Sequence, residues 1–250
     1  MSSGYRELPP RPALRDAVEA VWLRQPALQD GRSIAILPDG CMDLIYRYKV
    51  REDGGLGGGQ LLVSGPDRSA RHMTLQRDIG FFGFRLRPGR ARQLLDVDAR
   101  PLVDAGTVVA AIFPQLARLE QRLADCRSAA DLVRRLEHEV GLLAGGTTNA
   151  APPRRVLTAL ARLRQSPIRV DALAGELGLT PRSLHREIVA WTGLGPKRLA
   201  RIFRLQTSLC RLRAGRNSLA LLATEAGYAD QAHMTREFRA LAAATPRSLA

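Results

Sequence analysis

Arg186 and Arg236 occupy matching places in two segments of the chain that lie 50 positions apart. The first segment runs Arg186-Glu187-Ile188 and the second runs Arg236-Glu237-Phe238. A guanidinium group donates two hydrogen bonds at once, which suits the paired acceptors of a phosphate group or a guanine edge. The chemistry that these residue types favour is therefore the binding of an anionic, acceptor-rich partner.

Residue patterns typical of catalysis are missing from the sequence. It has no Gly-x-Ser-x-Gly motif, no His-Glu-x-x-His motif and no paired carboxylates at a plausible helical spacing. The glycine-rich run 54–59 lacks the Gly-Lys-Ser/Thr ending of a phosphate loop and predicts a flexible hairpin connection. His72 is the only histidine before His138, which disfavours a metal site. We expect neither an enzyme nor a protein that holds a cofactor or a metal.

The two arginines belong to a longer duplication. The residues that recur 49 positions later are Leu173, Ala174 and Gly178, as Leu222, Ala223 and Gly227. A small residue in a first helix, a glycine turn and a second amphipathic helix predict a helix-turn-helix unit. Repeat arrays usually need at least three copies to bury a continuous core, so two copies favour a reader of duplex DNA.

Helical patterns extend through the whole C-terminal part. They cover residues 153–164, 170–177, 181–191, 196–212, 219–226 and 230–241. Thr180 and Asp230 stand where N-caps are expected. The helix over 196–212 would be about 25 Å long and could hold two recognition helices roughly one DNA turn, 34 Å, apart.

Positive charge is concentrated in the same part. Residues 152–250 hold 17 Lys and Arg against 6 Asp and Glu, whereas residues 1–151 hold 21 against 18. Because clustered cations release counterions from phosphates, this distribution is typical of a nucleic-acid binder. The three cysteines form no CxxC pair, and the sequence shows neither a secretory signal nor roughly 18 consecutive apolar residues. We expect a cytoplasmic protein with no membrane partner.

The N-terminal part combines helical and β-rich patterns. Apolar residues at helical spacing predict an amphipathic helix over residues 12–24. Short β-rich runs between Ser33 and Arg87 predict a small antiparallel sheet or barrel, followed by helices at 90–95, 114–125 and 128–143. The last two helices could serve as a dimer surface or as a cap. Residues 144–153, rich in Gly, Thr and Pro, predict a linker.

Residues 154–250 resemble the AraC/XylS family of bacterial transcription regulators. The segments that carry the resemblance are DALAGELGLTPRSLHREIVAWTGLGPKRL, RLARIFRLQTSLCRL and LALLATEAGYADQAHMTREFRALAAATPRSL. The motifs LPDGCMDLIY and FGFRLRPG make the N-terminal part similar to the β-rich sensor domain found ahead of such modules. The resemblance implies an α+β sensor domain with a small antiparallel sheet or barrel (1–143), a linker (144–153) and an all-α domain (154–250). In that domain a long helix joins two helix-turn-helix units.

The resemblance also implies roles for individual residues. The second helix of each unit would enter a major groove, with base contacts from Arg182, Ser183, His185, Arg186, Gln231, Ala232, His233, Thr235 and Arg236. Phosphate contacts would come from Arg154, Arg155, Lys197, Arg198 and Arg201. The sequence departs from the family where a glycine usually precedes the closing proline, because Ala242–Ala244 stand there. We expect the second unit to dock differently or to bind more weakly.

The sensor part permits several kinds of control. A small-molecule effector could bind among aromatic side chains, namely Trp22, Tyr46, Tyr48, Phe82 and Phe84, although these could equally form core. The alternatives are control by a protein partner, control by none, or an alkylation or redox sensor acting through Cys41, for which a buried structural cysteine is the simpler interpretation. Partners consistent with this interpretation are double-stranded DNA, an effector, RNA polymerase and a second copy of the chain.

Overall fold

The computed structural model describes residues 4–26, 31, 33–53, 55–146, 151–165, 167–215 and 218–249. We call residues 4–146 the sheet region and residues 151–249 the helical region. None of the described helices is long and apolar enough to cross a membrane. The order of an antiparallel sheet followed by helices confirms the fold class predicted from the sequence.

Antiparallel strands build the sheet region. They are β1 (Tyr5–Leu8), β2 (Val18–Arg24), β3 (Ser33–Ile36), β4 (Met42–Val50), β5 (Leu56–Ser64), β6 (Arg71–Thr74), β7 (Ile79–Leu86) and β8 (Thr107–Val109). Six of them form one sheet in the order β1-β2-β7-β4-β5-β8, and β3 pairs with β6. The predicted β-rich runs are confirmed as β3 to β7.

Strand β2 replaces the helix that we predicted over residues 12–24, so that prediction was wrong. The segment forms a short 3₁₀ helix at Pro12–Leu14 and then pairs with both β1 and β7. A bulge between Val18 and Ala20 shifts the register, which leaves Val18, Ala20 and Val21 all buried. This spacing imitates a helical stripe, but hydrogen bonds to two neighbouring strands decide the conformation.

The glycine-rich run 54–59 lies only in part in the hairpin connection predicted for it, because Gly55 lies between the paired strands β4 and β5 and the later glycines do not. Strand β5 begins at Leu56, so Gly57 and Gly59 lie inside the sheet, while Gly54 lies outside the described residues. The ring of Tyr46 lies so close to Gly59 that a Cβ atom there would overlap it. Glycine is needed at this position because a side chain rests against the backbone.

One face of the sheet forms the core of this region. Buried residues from β4, β5 and β7, such as Leu44, Leu61 and Phe84, pack there against helices. The helices are α1 (Ala91–Leu95), α2 (Pro114–Leu123) and α3 (Ala129–Gly146). Further 3₁₀ turns lie at Arg100–Leu102 and Ala110–Ile112.

The helical region matches its predicted helices closely. They are α4 (Arg154–Gln165), α5 (Val170–Glu176), α6 (Pro181–Thr192), α7 (Pro196–Arg213), α8 (Leu219–Glu225) and α9 (Gln231–Ala242), with a 3₁₀ turn at Pro246–Leu249. We call α5 and α6 the first unit and α8 and α9 the second unit; α7 joins them. Part of the predicted linker, residues 147–150, lies outside the described residues, and α3 extends to Gly146.

Candidate nucleic-acid interface

Helix α6 begins at a cap that the sequence predicted. The Thr180 hydroxyl accepts a hydrogen bond from the Ser183 backbone N–H at 3.1 Å, and Pro181 occupies the first turn. Leu184 and Ile188 are buried against the neighbouring helices. Because helical side chains three and four positions apart share a face, this packing leaves the opposite face open. Arg182, His185 and Arg186 are exposed there.

Helix α9 repeats this arrangement. The Asp230 carboxylate accepts a hydrogen bond from the His233 backbone N–H at 2.6 Å, as predicted for this cap. Met234 and Phe238 are fully buried on one face. The exposed side chains on the other face are Gln231, Ala232 and Arg236. Each unit therefore presents a polar helix face that begins at a capped N-terminus.

The glycines of the two turns have the same conformation. Gly178 has a φ of 65° and Gly227 has a φ of 79°. A left-handed φ is unfavourable for other residues, so glycine at this place lets each unit turn tightly between its two helices. The repeated glycine in the sequence thus marks the turn of a helix-turn-helix unit in both copies.

Several predicted base-contacting side chains make contacts within the fold. The Thr235 hydroxyl donates to the Gln231 carbonyl oxygen at 2.9 Å, and the Ser183 hydroxyl lies 3.0 Å from that of Thr180. The His233 Nδ1 accepts from the Ala229 N–H at 3.2 Å, and its ring stands edge-on to that of Tyr228. These three side chains are thus engaged within the fold, near the starts of α6 and α9.

His185 is exposed, but its ring lies against the backbone of Gly195 at the start of α7. The side chains left most open on the two faces are therefore arginine, glutamine and alanine, namely Arg182, Arg186, Gln231, Ala232 and Arg236.

The predicted phosphate-contacting residues separate into two groups. Arg154 and Lys197 are exposed. Arg155 forms an ion pair with Glu187 at 2.5 Å, Arg198 reaches the Arg68 carbonyl oxygen at 3.5 Å, and Arg201 forms an ion pair with Glu237. Arg155, Arg198 and Arg201 would have to exchange or share these partners to contact DNA.

Glu187 and Glu237 fix α6 and α9 to neighbouring helices, a structural role that the sequence reasoning missed. Each follows the exposed arginine of its helix and binds an arginine of another helix. Glu237 is 8% exposed and is held by Arg201 and Arg204 of α7. The repeated Arg-Glu pair in the sequence could have indicated this role, because in each copy the arginine points outward while the glutamate fixes the helix.

A groove of about 810 Å³ separates the two units along α7. Its walls include the basic side chains Lys197, Arg201, Arg204 and Arg211. Pro181, the first residue of α6, also lines it. Arg201 and Arg204 pair with Glu237, and Arg211 pairs with Glu225. These three side chains would have to exchange or share their partners to contact a phosphodiester backbone that lies along the groove.

The predicted aromatic pocket in the sheet region does not bring its five residues together. Tyr46, Tyr48, Phe82 and Phe84 are at most 3% exposed and belong to the core on one face of the sheet. Trp22 pairs in register with Gly83, on the opposite face, and its Nε1 donates to the Asp43 carboxylate at 2.8 Å. Because neighbouring strand residues alternate between faces, these five side chains cannot line one cavity.

Cys41 is 2% exposed, and its Sγ lies 3.8 Å from the Glu19 carboxylate. Burial, and next the Asp39 carboxylate, raise the pKa of the Cys41 thiol well above its usual range. A nucleophilic or redox-active cysteine needs the thiolate form, which this environment disfavours. In the part of the chain that the structure describes, no group of three or more His, Cys, Asp or Glu side chains could hold a metal ion.

Comparison with protein families gives a match in each part of the chain. Residues 173–250 match the model of a helix-turn-helix domain, and residues 6–107 match a domain of unknown function (DUF6597). Residues 173–250 are thus an AraC-type helix-turn-helix domain, and we call residues 151–250, which contain it, the AraC-type part. This AraC-type part contains both units, including the faces described above.

The HTH-type transcriptional activator RhaS of Pectobacterium atrosepticum is 32% identical over 77 residues, which are 31% of this chain and 28% of that protein. RhaS of Pectobacterium carotovorum subsp. carotovorum is also 32% identical, over 78 residues. The chain thus matches under a third of the length of these relatives.

Solved structures that are similar to this chain include ToxT from Vibrio cholerae O395, with a TM-score of 0.46, 10% identity and coverage of 98% of this chain and 97% of that chain. The C-terminal domain of AraT, a response regulator from Geobacillus stearothermophilus, has a TM-score of 0.38 and 19% identity over 40% of this chain and 86% of that chain.

Proposed function

We propose that the protein is a sequence-specific DNA-binding regulator of transcription, whose α6 and α9 enter successive major grooves of one duplex. The observation that carries the proposal is the pair of equivalent open faces, Arg182 with Arg186 on α6 and Gln231 with Arg236 on α9. Arginine pairs with guanine and glutamine with adenine through two hydrogen bonds each, so these faces have the chemistry of base readout.

Charge and geometry support the same proposal. Residues 152–250 hold 17 Lys and Arg against 6 Asp and Glu, which is most of the net charge of +14, and the groove with its basic side chains lies between the two units. Helix α7 has 18 residues, about 27 Å of helix, which is comparable to one turn of DNA at roughly 34 Å. Both faces could therefore meet the same side of a duplex.

Selection of bound duplexes from a random pool tests the proposal. The full chain should recover a sequence with two boxes about one helical turn apart. Affinity for it should fall steeply with salt, with a logarithmic slope of about −0.9 for each phosphate contact. Recovery of unrelated sequences, or binding that salt leaves unchanged, would refute the proposal.

We further propose a division into a sensor domain (1–143), a linker (144–153) and a DNA-binding domain (154–250), acting in the cytoplasm where chromosomal DNA lies. A small-molecule effector stays a prediction, and control by a protein partner is the second candidate. A thermal-shift screen of metabolites distinguishes them, because a ligand that binds only the folded state raises its stability. RNA polymerase and a second copy of the chain stay predicted partners.

The alternative of a sensor acting through Cys41 makes a different prediction. Cys41 is buried with a raised thiol pKa, whereas Cys210 is exposed on α7. In the folded chain a methylating reagent should therefore modify Cys210 well before Cys41. Mass spectrometry that finds Cys41 modified first would support the sensor.

A further inference from the structure

The two units of the AraC-type part have separate hydrophobic cores, and α7 contributes to both. Its first half supplies Leu199, Ile202 and Phe203 to the core of the first unit. Its second half supplies Leu205, Leu209 and Leu212 to the core of the second. The junction between the cores therefore falls near residues 203–205, and a small bend there would change the separation of α6 and α9.

A segment of the sheet region, residues 37–40, contacts α7 on both sides of this junction. We call it the bridging segment. A Cβ atom on Gly40 would lie 3.0 Å from Leu199 and 3.3 Å from Phe203, so the Gly40 backbone packs directly on the first core. The Pro38 carbonyl oxygen accepts a hydrogen bond from Gln206 Nε2 at 2.7 Å. Leu37 packs against the core of the second unit. Four consecutive residues thus connect the two cores independently of α7.

The bridging segment is itself fixed to the sheet. The Asp39 carboxylate lies 3.0 Å from the Arg85 guanidinium of β7 and accepts a hydrogen bond from the Cys41 N–H at 2.8 Å. The next residue, Met42, begins β4 and pairs with Leu86 at the end of β7. Because paired strand ends have one register, the segment cannot shift along α7 without disturbing the sheet.

Other residues of the sheet region hold the ends of both recognition helices. The Ala70 N–H donates to the Leu241 carbonyl oxygen in the last turn of α9 at 2.6 Å. Val103 lies against Gly193, directly after α6. These contacts lie at the C-terminal ends, and Arg182 and Gln231 at the opposite ends stay exposed. The sheet region therefore positions the two helices and leaves their base-reading faces open.

We propose that the sheet region fixes the separation of α6 and α9, and that Leu37, Pro38 and Gly40 thereby determine which spacing between two operator boxes the protein accepts. The proposal rests on the proposed function, binding of both units to one duplex. Each inserted base pair moves the second box by about 3.4 Å and rotates it by roughly 35°. A rigid pair of units loses its second contact at such a displacement, whereas a flexible pair keeps it.

The test uses the full chain and the duplex recovered from the random pool. Derivatives of that duplex carry one or two base pairs inserted between the boxes, or one box alone. The natural chain should lose at least about tenfold in affinity for one insertion. The variant Leu37→Ala with Gln206→Ala should lose less than about threefold, with single-box affinity unchanged. The control variant, Leu221→Ala with Gln121→Ala, alters exposed residues of the same types and should behave like the natural chain.

Each result has a distinct meaning. The proposal is overturned if the double variant loses as much affinity on insertion of a base pair as the natural chain does. It is also overturned if the natural chain binds both boxes and its affinity does not change on insertion. If the double variant also loses affinity for a single box, the variant Val103→Ala, which loosens the contact at Gly193, is measured in its place. The proposal is overturned if Val103→Ala loses as much affinity as the natural chain when a base pair is inserted. A natural chain that does not prefer the recovered duplex to a random one refutes the proposed function itself, before any variant is measured.

Discussion

Gly193 and Ala243 end the two recognition helices in the same left-handed conformation, with φ angles of 73° and 51°. The Gly193 N–H donates to the Val189 carbonyl oxygen, and the Ala243 N–H donates to that of Arg239. The absence of a glycine from Ala242–Ala244 therefore does not prevent the usual helix end, because Ala243 adopts the left-handed conformation. The second unit has the same C-terminal geometry at a higher conformational cost.

Replacing Ala243 by glycine should stabilise the protein. A left-handed alanine costs about 1 kcal/mol more than glycine, so Ala243→Gly should raise the free energy of unfolding by about that amount in urea titrations. Ala240→Gly is the control, since this exposed position inside α9 should lose roughly 0.5–1 kcal/mol. Gly193→Ala should destabilise strongly, because the new Cβ would lie 2.7 Å from Val103. Equal stability of Ala243→Gly and the natural chain would contradict this account.

Removing the exposed arginines should weaken specific binding. Arg186→Ala and Arg236→Ala should each cost roughly 1–3 kcal/mol on the selected duplex and much less on random duplex. Arg154→Ala, at an exposed position outside α6 and α9, should weaken both complexes about equally. Binding titrations on the two duplexes measure the difference. Equal losses from Arg186→Ala on both would exclude base readout by this residue.

The two glutamates that follow these arginines should differ in their contribution to stability. The Glu237 side chain is 10% exposed between Arg201 and Arg204, whereas the Glu187 side chain is 18% exposed and its partner Arg155 is 53% exposed. Breaking a buried ion pair leaves uncompensated charge, so Glu237→Gln should cost about 2–4 kcal/mol of unfolding free energy. Glu187→Gln should cost at most about 1 kcal/mol. If chemical denaturation gives similar losses of unfolding free energy for Glu237→Gln and Glu187→Gln, burial does not distinguish the two ion pairs.

Asp43 should make stability depend on pH. Burial, and next the Asp39 carboxylate, raise the pKa of Asp43 to about 7, while an aspartate in an unfolded chain titrates at about 3.9. Folded Asp43 thus keeps a proton that the unfolded chain releases, and this contribution to stability is lost as pH rises through about 7. Asp43→Asn removes this loss of stability at high pH. The Tm of the variant minus the Tm of the natural chain should therefore be larger at pH 8 than at pH 5. A difference that stays constant with pH would contradict the raised pKa.

The sequence was sufficient for the helices of the AraC-type part, including the caps at Thr180 and Asp230 and the turns at Gly178 and Gly227. These features depend on residues within one or two helical turns of each other, so their spacing in the chain contains the information. The clustering of positive charge is likewise visible in composition alone. The duplication supported the prediction of two helix-turn-helix units, because two copies with the same residue pattern are expected to have the same structure.

Contacts between residues far apart in the chain were decided only by the tertiary structure. Pairing with β1 and β7 made residues 18–24 a strand, and packing placed Tyr46 and Phe84 in the core and not around a cavity. The same holds for the bridging segment, since no local pattern connects Pro38 to Gln206, 168 positions away. Sequence spacing determines which faces a helix or strand has, whereas strand register and packing determine what each face meets.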